Sequence, residues 1–289
     1  MTSPEYVGMD PDQAMMDFEE RIKHYSEAYQ PIKDEERSSY IKIIDLGMMM
    51  IINEMREHVQ SRIVFFVMNL HVRRRSIFLC RHGETTHNVT GKIGGNAELS
   101  ERGWEFAKEL PILLEGVLKK QSKETDDSEE EGQFQVWTST LKMTFQTAQF
   151  LNYPKHQWKS LDELDAGVCD GLTYEEISER YPQDQNSRDE DKLRYRYRGG
   201  GESYTDLIER VEPVILELER SENILIIGHQ AILRVIFGYF KGVEPEEIPY
   251  IRVPLHRVVR LTPTAYGCEI TEYSSNVEAV DTHRFKPIK

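Results

Sequence analysis

From residue 76 onward, the sequence alternates short apolar runs with longer segments that have helical spacing. The apolar runs read SIFLC, FQVWTS and NILIIGH, and polar or glycine-containing stretches separate them. Strands that alternate with helices usually pair in parallel, and the helices pack on the faces of the sheet. The pattern therefore predicts an α/β protein with three layers, α/β/α, around a mostly parallel sheet.

Three segments between or after these runs are predicted to be helices. The segment LSERGWEFAKELPILLEGVLKK begins at a residue typical of an N-cap, Ser100, and Pro111 is expected to kink or restart its helix. The segment SYTDLIERVEPVILELERSE is amphipathic, and QAILRVIFGYF directly follows the last of the three strands. Each strand is thus followed by a loop and then by helical spacing.

The first 75 residues have a different pattern. Apolar side chains at helical spacing predict a helix over residues 13–29, and two β-prone runs follow, SYIKIIDLGMMMII and RIVFFVMNLHV. We therefore predict two domains, residues 1–75 and residues 76–289. Within the second, the charged run QSKETDDSEEEGQ is expected to form an acidic, mobile insert at about residues 121–133.

The charge of the chain limits its partners. Its 50 acidic and 36 basic residues give a formal net charge of -14. A general binder of nucleic acid or of anionic membranes needs a broad positive surface, so neither partner is expected. The three cysteines are widely spaced, which suits a reducing compartment, and the chain carries no secretory signal and no apolar run of membrane-spanning length. We predict a soluble, cytoplasmic protein.

Polar side chains follow each of the three strands where it ends. Arg81 and His82 follow the first strand, residues 139–142 follow the second, and His229 and Gln230 follow the third. The carboxyl ends of parallel strands lie at one edge of a sheet, where ligands bind. Two histidines and an arginine at one edge suit a phosphoryl group, because a neutral imidazole attacks phosphorus while cations hold its oxygens.

These histidines could also be structural residues or metal ligands. A single histidine at a strand end is more often structural than catalytic, but RHGE directly after one strand and a second His-Gln after another favour a catalytic pair. His82 and His87 could also be metal ligands, yet no third ligand has a suitable spacing. We therefore predict neither a metal nor a cofactor.

Several motifs together resemble one known family. They look like the bisphosphatase half of 6-phosphofructo-2-kinase/fructose-2,6-bisphosphatase, within the histidine phosphatase superfamily, whose fold is phosphoglycerate mutase-like. Residues 1–75 resemble the last stretch of the kinase half. The motifs that carry the resemblance from residue 76 onward are LCRHGETTHN, GKIGGN, WTSTLK, TFQTA, DELDAGVCDGLTYEE, RDEDKLRYRY, GESY, GHQAILR and VEAVDTHR.

The resemblance implies a role for individual residues. His82 matches the nucleophile that becomes phosphohistidine, and Glu163 matches the general acid, whose pKa should be raised if it is to donate a proton. His229 and Arg81 match groups that bind the transferred phosphoryl oxygens. The remaining matches imply neutral donors or ligands of the 6-phosphate and the sugar: Asn88, Gly94, Tyr174, Arg188, Lys192, Arg196, Gln230 and Arg234.

Three of these residues also form a pattern of their own. Arg188, Lys192 and Arg196 recur every four residues, which on a helix would make one basic stripe. Beside neighbouring acidic residues such a stripe could equally be an ordinary solvated face. The resemblance favours substrate binding.

The sequence departs from the family in two places. Met143 stands where the family pattern has an arginine that clasps the transferred phosphoryl group, and a methionine supplies neither charge nor hydrogen-bond donor. The loop YRYRGGGES replaces a proline-containing turn with a longer, glycine-rich one that includes Arg198. Lys142 is adjacent to Met143, but on a helix it would point about 100° away.

Three hypotheses follow. The chain could hydrolyse the 2-phosphate of fructose 2,6-bisphosphate, a sugar bisphosphate, through a phosphohistidine, at a rate that Met143 would lower. It could instead be a histidine phosphatase with a shifted substrate, or a non-catalytic remnant that binds a sugar phosphate or a partner. No kinase activity is expected, because no G-x-x-x-x-G-K-[ST] motif occurs. A homodimer, or a heterodimer with a bifunctional relative, is the predicted assembly.

Overall fold

A computed structural model describes residues 4–33, 38–45, 49–69, 75–124, 134–221, 223–264 and 267–286. The chain divides into two compact units, Met1–Val72 and Arg73–Lys289. Each unit is described by itself.

The first unit combines two helices with a two-stranded sheet. A 3₁₀ turn at Pro4–Tyr6 precedes helix α1, and Asp10 caps α1 by accepting hydrogen bonds from the amides of Asp12 and Gln13. The two strands are antiparallel and both lie within SYIKIIDLGMMMII. The elements are α1 (Pro11–Ala28), β1 (Tyr40–Ile44), β2 (Met49–Asn53) and α2 (His58–Asn69).

The second β-prone run was wrongly interpreted, because its described part belongs to α2. Gln60, Val64 and Val67 are the half-buried positions of this helix, and their spacing of three to four residues is helical. This packing outweighs the weak β preference of the run's valine, isoleucine and phenylalanine side chains. Residues 70–72 of the run lie outside the described residues.

The second unit contains a six-stranded sheet with the order β5-β4-β6-β3-β7-β8. The strands β5, β4, β6 and β3 run parallel, and β7 and β8 are antiparallel additions at one side. The predicted α/β class with a mostly parallel sheet is therefore confirmed. The elements are β3 (Ile77–Arg81), α3 (Thr86–Val89), α4 (Glu101–Glu124), β4 (Gln135–Thr138), α5 (Lys142–Thr147), β5 (Lys155–Gln157), α6 (Tyr174–Arg180), α7 (Pro182–Glu190), α8 (Tyr204–Arg220), β6 (Ile224–Gly228), α9 (Gln230–Lys241), β7 (Arg257–Thr264) and β8 (Gly267–Ser274).

The two central strands bury both of their faces. On β3, Ile77 and Leu79 pack in a cluster with α8 and α9, whereas Phe78 and Cys80 pack in a cluster with α4. Alternate side chains of β6 divide between the same two clusters. A sheet covered on both faces gives the three layers expected from the near-continuous apolar runs.

Helix α4 continues through Pro111 without interruption, contrary to the predicted restart. Proline removes one backbone hydrogen bond from a helix. Here Phe106, Leu110 and Leu114 of α4 are fully buried against the sheet, and this apolar packing offsets the lost bond. The predicted acidic insert is only partly described, since residues 121–124 belong to α4 and residues 125–133 lie outside the described residues.

Candidate active site

A cleft of about 420 Å³ opens at the carboxyl edge of the parallel strands. All but one of the residues predicted to form a site line this cleft, and the exception is Arg196. Those that line it are Arg81, His82, Asn88, Gly94, Glu163, Tyr174, Arg188, Lys192, His229, Gln230 and Arg234.

His82 directly follows β3, and both its backbone and its ring are hydrogen-bonded. Its backbone amide donates to the carbonyl of Gly228 (3.0 Å), and its Nδ1 lies 2.8 Å from the carbonyl oxygen of Gly83. A carbonyl oxygen only accepts, so Nδ1 carries the proton and a neutral ring keeps its lone pair on Nε2. Burial, followed by the charges of His229 and Arg81, lowers the pKa of His82 well below its usual range. The ring is therefore a neutral nucleophile at physiological pH.

His229 lies beside His82, with 5.2 Å between the two ring centroids. It immediately follows β6, and its Nε2 lies 2.7 Å from Oγ of Ser139, which itself lies 2.8 Å from Oγ1 of Thr144. Burial, with smaller effects of Arg81 and Arg210, lowers the pKa of His229 to about 3. Both imidazoles of the cleft are thus neutral, and a bound phosphoryl dianion would favour protonation of His229.

Arg81 is the last residue of β3, and the residue is 5% exposed. Nη1 donates to the carbonyl of Val253 (3.2 Å) and to Oγ1 of Thr282 (2.6 Å). Within the described part of the chain, its buried Nε has no hydrogen-bond partner. Burial lowers the pKa to about 10, so the group remains a cation at the wall of the cleft.

Glu163 is half-buried at the edge of the cleft. Its Oε1 accepts hydrogen bonds from the amides of Leu164 (3.0 Å) and Ala231 (3.2 Å). Burial nevertheless raises the pKa of the carboxyl, against the opposing effects of these amides and of Arg81. A carboxyl group with a raised pKa can donate a proton near neutral pH, which is the property required of a general acid.

Asn88 and Gly94 supply neutral groups at the same end of the cleft. Oδ1 of Asn88 accepts from both the amide (3.0 Å) and the hydroxyl (2.9 Å) of Thr85, so the group Asn88 can offer a ligand is its NH2. Gly94 has a φ of +61°, and a Cβ there would lie 1.8 Å from Oδ1 of Asp170. Only glycine fits this turn, which lets the backbone approach the cleft closely.

Three basic side chains that line the cleft contact aromatic residues. Arg188, 7% exposed, donates to the hydroxyls of Tyr197 and Tyr174, each at 3.0 Å. Arg234 donates to the hydroxyl of Tyr204 (3.0 Å), and Nζ of Lys192 lies 4.8 Å from the ring centroid of Tyr250. Burial, with the charges of Arg234 and Arg188, lowers the pKa of Lys192 to about 6. Two buried arginines and a lysine whose charge a bound anion would restore favour an anionic ligand.

The predicted helical stripe of basic residues is wrong. Helix α7 ends at Glu190, and Asp191 leaves the helical conformation, so Lys192 and Arg196 are not on one helix face with Arg188. Lys192 still reaches the cleft because the chain turns there. The side chain of Arg196 is 61% exposed and pairs with Asp206 at the start of α8, outside the cleft.

Other cleft residues were not predicted from the sequence. Tyr197 and Tyr204 orient the arginines, as described above. A C-terminal segment also lines the cleft: Thr282 contacts Arg81 from 201 residues away, and Cζ of Arg284 lies 3.5 Å from the ring centroid of Tyr174. No local spacing could have indicated such a distant contact, although the motif VEAVDTHR was part of the family resemblance.

Met143 lies in α5, lines the cleft and is 4% exposed. It packs with Leu99 and Ala107 in a small apolar cluster. Lys142 does not replace the missing cation, because its side chain is 56% exposed and its Nζ lies 3.7 Å from Glu98. The part of the cleft formed by residue 143 is therefore apolar and uncharged.

The sequence model of the histidine phosphatase superfamily (branch 1) matches residues 77–276, which is most of the chain. The chain belongs to the histidine phosphatase superfamily. Among solved structures, the alpha-ribazole phosphatase of Shigella flexneri has a similar fold, with a TM-score of 0.57 and 23% identity. That alignment covers 71% of this chain and 98% of the Shigella chain.

Curated relatives match over nearly the whole chain. A 6-phosphofructo-2-kinase/fructose-2,6-bisphosphatase of Gallus gallus is 48% identical over 99% of this chain, and a fructose-2,6-bisphosphatase of Saccharomyces cerevisiae is 49% identical over 99%. The chain spans only 59% and 61% of these two relatives. Residues 1–74 match the sequence model of 6-phosphofructo-2-kinase.

Two glycines of α4 allow a matched test of how the His82 loop is held. A Cβ on Gly103 would lie 2.0 Å from the carbonyl oxygen of Glu84, whereas a Cβ on Gly116 would meet nothing within 4 Å. We expect Gly103→Ala to lower the melting temperature, since the backbone must shift, and Gly116→Ala to stabilise the protein by about 0.5–1 kcal/mol through helix propensity. Equal melting temperatures for the two variants would contradict this close approach.

Proposed function

We propose that this chain hydrolyses the 2-phosphate of fructose 2,6-bisphosphate to fructose 6-phosphate and inorganic phosphate, as a phosphoric monoester hydrolase. The observation that carries the proposal is the pairing of neutral His82 with His229 and Arg81 in the same cleft as Arg188, Lys192 and Arg234. The first set, around His82, suits one phosphate of a sugar bisphosphate, and the second set, around Arg188, suits the other. The names of the Gallus gallus and Saccharomyces cerevisiae relatives support the same substrate.

The proposed reaction has two phosphoryl transfers. In the first, Nε2 of His82 attacks the phosphorus of the 2-phosphate, the bond from phosphorus to the sugar oxygen breaks, and Glu163 gives its proton to that oxygen. In the second, the Glu163 carboxylate takes a proton from a water whose oxygen attacks phosphorus. The bond from phosphorus to Nε2 then breaks, which releases phosphate and restores the protonated acid.

The other groups near His82 stabilise charge during both transfers. The guanidinium of Arg81 and a protonated His229, which both line the cleft, would stabilise the charge on the equatorial phosphoryl oxygens, and the NH2 of Asn88 adds a neutral donor. All of these donors are side chains of the protein. The proposed reaction therefore uses neither a metal nor a cofactor.

A turnover assay tests this function and the effect of Met143. We expect phosphate release from fructose 2,6-bisphosphate, unchanged by EDTA and abolished by His82→Ala. An arginine at the buried position 143 would add a charge-assisted contact of about 2–4 kcal/mol, so Met143→Arg should accelerate turnover by about 30- to 1000-fold. An acid-labile phosphoenzyme that disappears in His82→Ala would identify the nucleophile.

Met143 also supports a second candidate function. An uncharged, apolar wall in the cleft suits a non-catalytic remnant that binds a sugar phosphate, or a phosphatase whose preferred substrate has shifted. Either would be favoured over the first proposal if the native protein released no phosphate from fructose 2,6-bisphosphate. Turnover restored only by Met143→Arg would identify a disabled bisphosphatase. Activity on another phosphomonoester would identify a phosphatase with a different preferred substrate.

Arg188 and Arg196 provide a matched test of the far phosphate site. Loss of a buried charge-assisted contact typically costs about 1.5–3 kcal/mol, so Arg188→Ala should raise KM about 10- to 100-fold. Arg196→Ala should leave KM within about twofold, because the exposed Arg196 lies outside the cleft. Similar KM increases in both variants would contradict the placement of Arg196 outside the substrate site.

The raised pKa of Glu163 predicts a pH dependence. The general acid must be protonated in the free enzyme, so kcat/KM should fall as the pH rises through the pKa of Glu163. In the free enzyme, the lowered pKa values of His82 and His229 keep both rings neutral over this range, and His229 gains its proton only when the phosphoryl group is bound. Glu163→Gln should have a low kcat/KM, and its plot of kcat/KM against pH should lack this fall. If the fall occurred at the same pH and with the same steepness in Glu163→Gln, a different group would be responsible for it.

The proposal also covers the domains, the assembly and the compartment of the protein. We interpret residues 1–75 as a remnant resembling the C-terminal end of a kinase domain, and residues 76–289 as the phosphatase domain. No P-loop motif occurs, so no kinase activity is proposed. A homodimer or a heterodimer with a bifunctional relative is the proposed assembly, and the cytoplasm is the proposed compartment. None of the described helices is both long and apolar enough to cross a membrane.

A further inference from the structure

The peptide bond between Gly83 and Glu84 lies between two histidine rings. Its carbonyl oxygen accepts from Nδ1 of His82 (2.8 Å), and its N–H donates to Nε2 of His256 (2.9 Å). Hence one planar peptide unit joins the ring assigned as nucleophile to a second buried histidine that does not line the cleft. His256 had no role in the sequence analysis.

His256 is held so that its Nε2 can only accept. Its Nδ1 donates to the carbonyl of Val277 (3.0 Å), which leaves the lone pair of the neutral ring on Nε2. The ring is stacked on Phe106, with centroids 4.4 Å apart and planes inclined by 12°, and the residue is 3% exposed. Its φ of +55° is uncommon for a residue with a Cβ, so the surrounding contacts must hold it in place.

Other contacts hold the same loop independently of His256. The amide of Gly83 donates to Oγ1 of Thr147 (2.8 Å), and the carbonyl of Glu84 accepts from the amide of Ser100 (2.8 Å). The loop therefore has anchors besides the histidine. What His256 adds is a hydrogen bond to the one peptide unit that also contacts His82.

We infer that His256 is a positioning residue, which fixes the tautomer and orientation of His82 through the Gly83–Glu84 peptide. An N–H that donates makes the carbonyl of the same peptide a stronger acceptor, so the contact to His256 strengthens the bond from Nδ1 of His82. That bond keeps the lone pair on Nε2, where the attack takes place. The inference rests on the proposed function for its catalytic consequence but not for its structural one.

Two conservative variants separate this role from a merely structural one. In His256→Gln, the amide oxygen takes the place of Nε2 and can accept from the amide of Glu84. In His256→Asn, the shorter side chain can replace only the Nδ1 donor to Val277, and asparagine tolerates the positive φ well. Both variants lose the stacking on Phe106, and each keeps one of the two histidine contacts: His256→Gln the contact to the peptide unit, and His256→Asn the contact to Val277.

The first measurement is a long-range ¹H–¹⁵N spectrum of the histidine rings, in which His82 is assigned by its absence in His82→Ala. We expect a single tautomer of His82, protonated at Nδ1, in the native protein and in His256→Gln, and a mixture of tautomers in His256→Asn. An unchanged single tautomer in His256→Asn would overturn the inference, whatever the activity of the protein.

The second measurement is turnover of fructose 2,6-bisphosphate. We expect His256→Asn to lower kcat about tenfold, the size of one hydrogen bond, with KM within about twofold, and His256→Gln to stay within about threefold of the native kcat. Equal losses in both variants would mean that only the stacking matters and would also overturn the inference. A silent native protein whose His82 tautomer still responds to His256→Asn would contradict the proposed function and support the positioning role.

Discussion

The parallel pairing of β3 with β6 is the constraint on which the proposed site depends. Arg81 at the end of β3 is in register with Gly228 at the end of β6, and the ladder continues in the bond from the amide of His82 to the carbonyl of Gly228. The residues that follow, His82 and His229, therefore lie side by side. Both strands are fully buried, so a slip of one residue would place apolar side chains in the wrong cluster as well as separate the two rings.

The charges in the cleft explain how an acidic protein could bind the proposed anionic ligand. The net charge of -14 repels a phosphorylated sugar at long range, but Arg81, Arg188 and Arg234 are each less than 10% exposed and face the cleft. Carbonyl and hydroxyl oxygens accept most of their hydrogen bonds, Asp189 pairs with Arg188, and the raised pKa of Glu163 weakens the negative charge of that carboxyl. These buried cations thus favour an anion locally.

The parts predicted correctly from the sequence are those encoded by local apolar patterns. The runs that became β3, β4 and β6 fixed the sheet edge, and with it the neighbouring positions of His82 and His229. Predictions failed where tertiary contacts decide, as in α2, whose β-prone side chains pack as a helix, and in α7, which ends before Lys192. Contacts across the chain, such as Thr282 on Arg81 or Val277 on His256, leave no local signal at all.

Met143 shows how the core and the cleft constrain one position together. Its side chain contacts the apolar cluster of Leu99 and Ala107 on one side and lines the cleft on the other. A long side chain that begins in this cluster can end in the cleft, so an arginine stem could use the same apolar surface and place its guanidinium toward the phosphoryl group. Methionine keeps the packing half of this arrangement and loses the charged half. The fold therefore does not require a cation at residue 143. A cation there would affect only how strongly the proposed site binds a phosphoryl group.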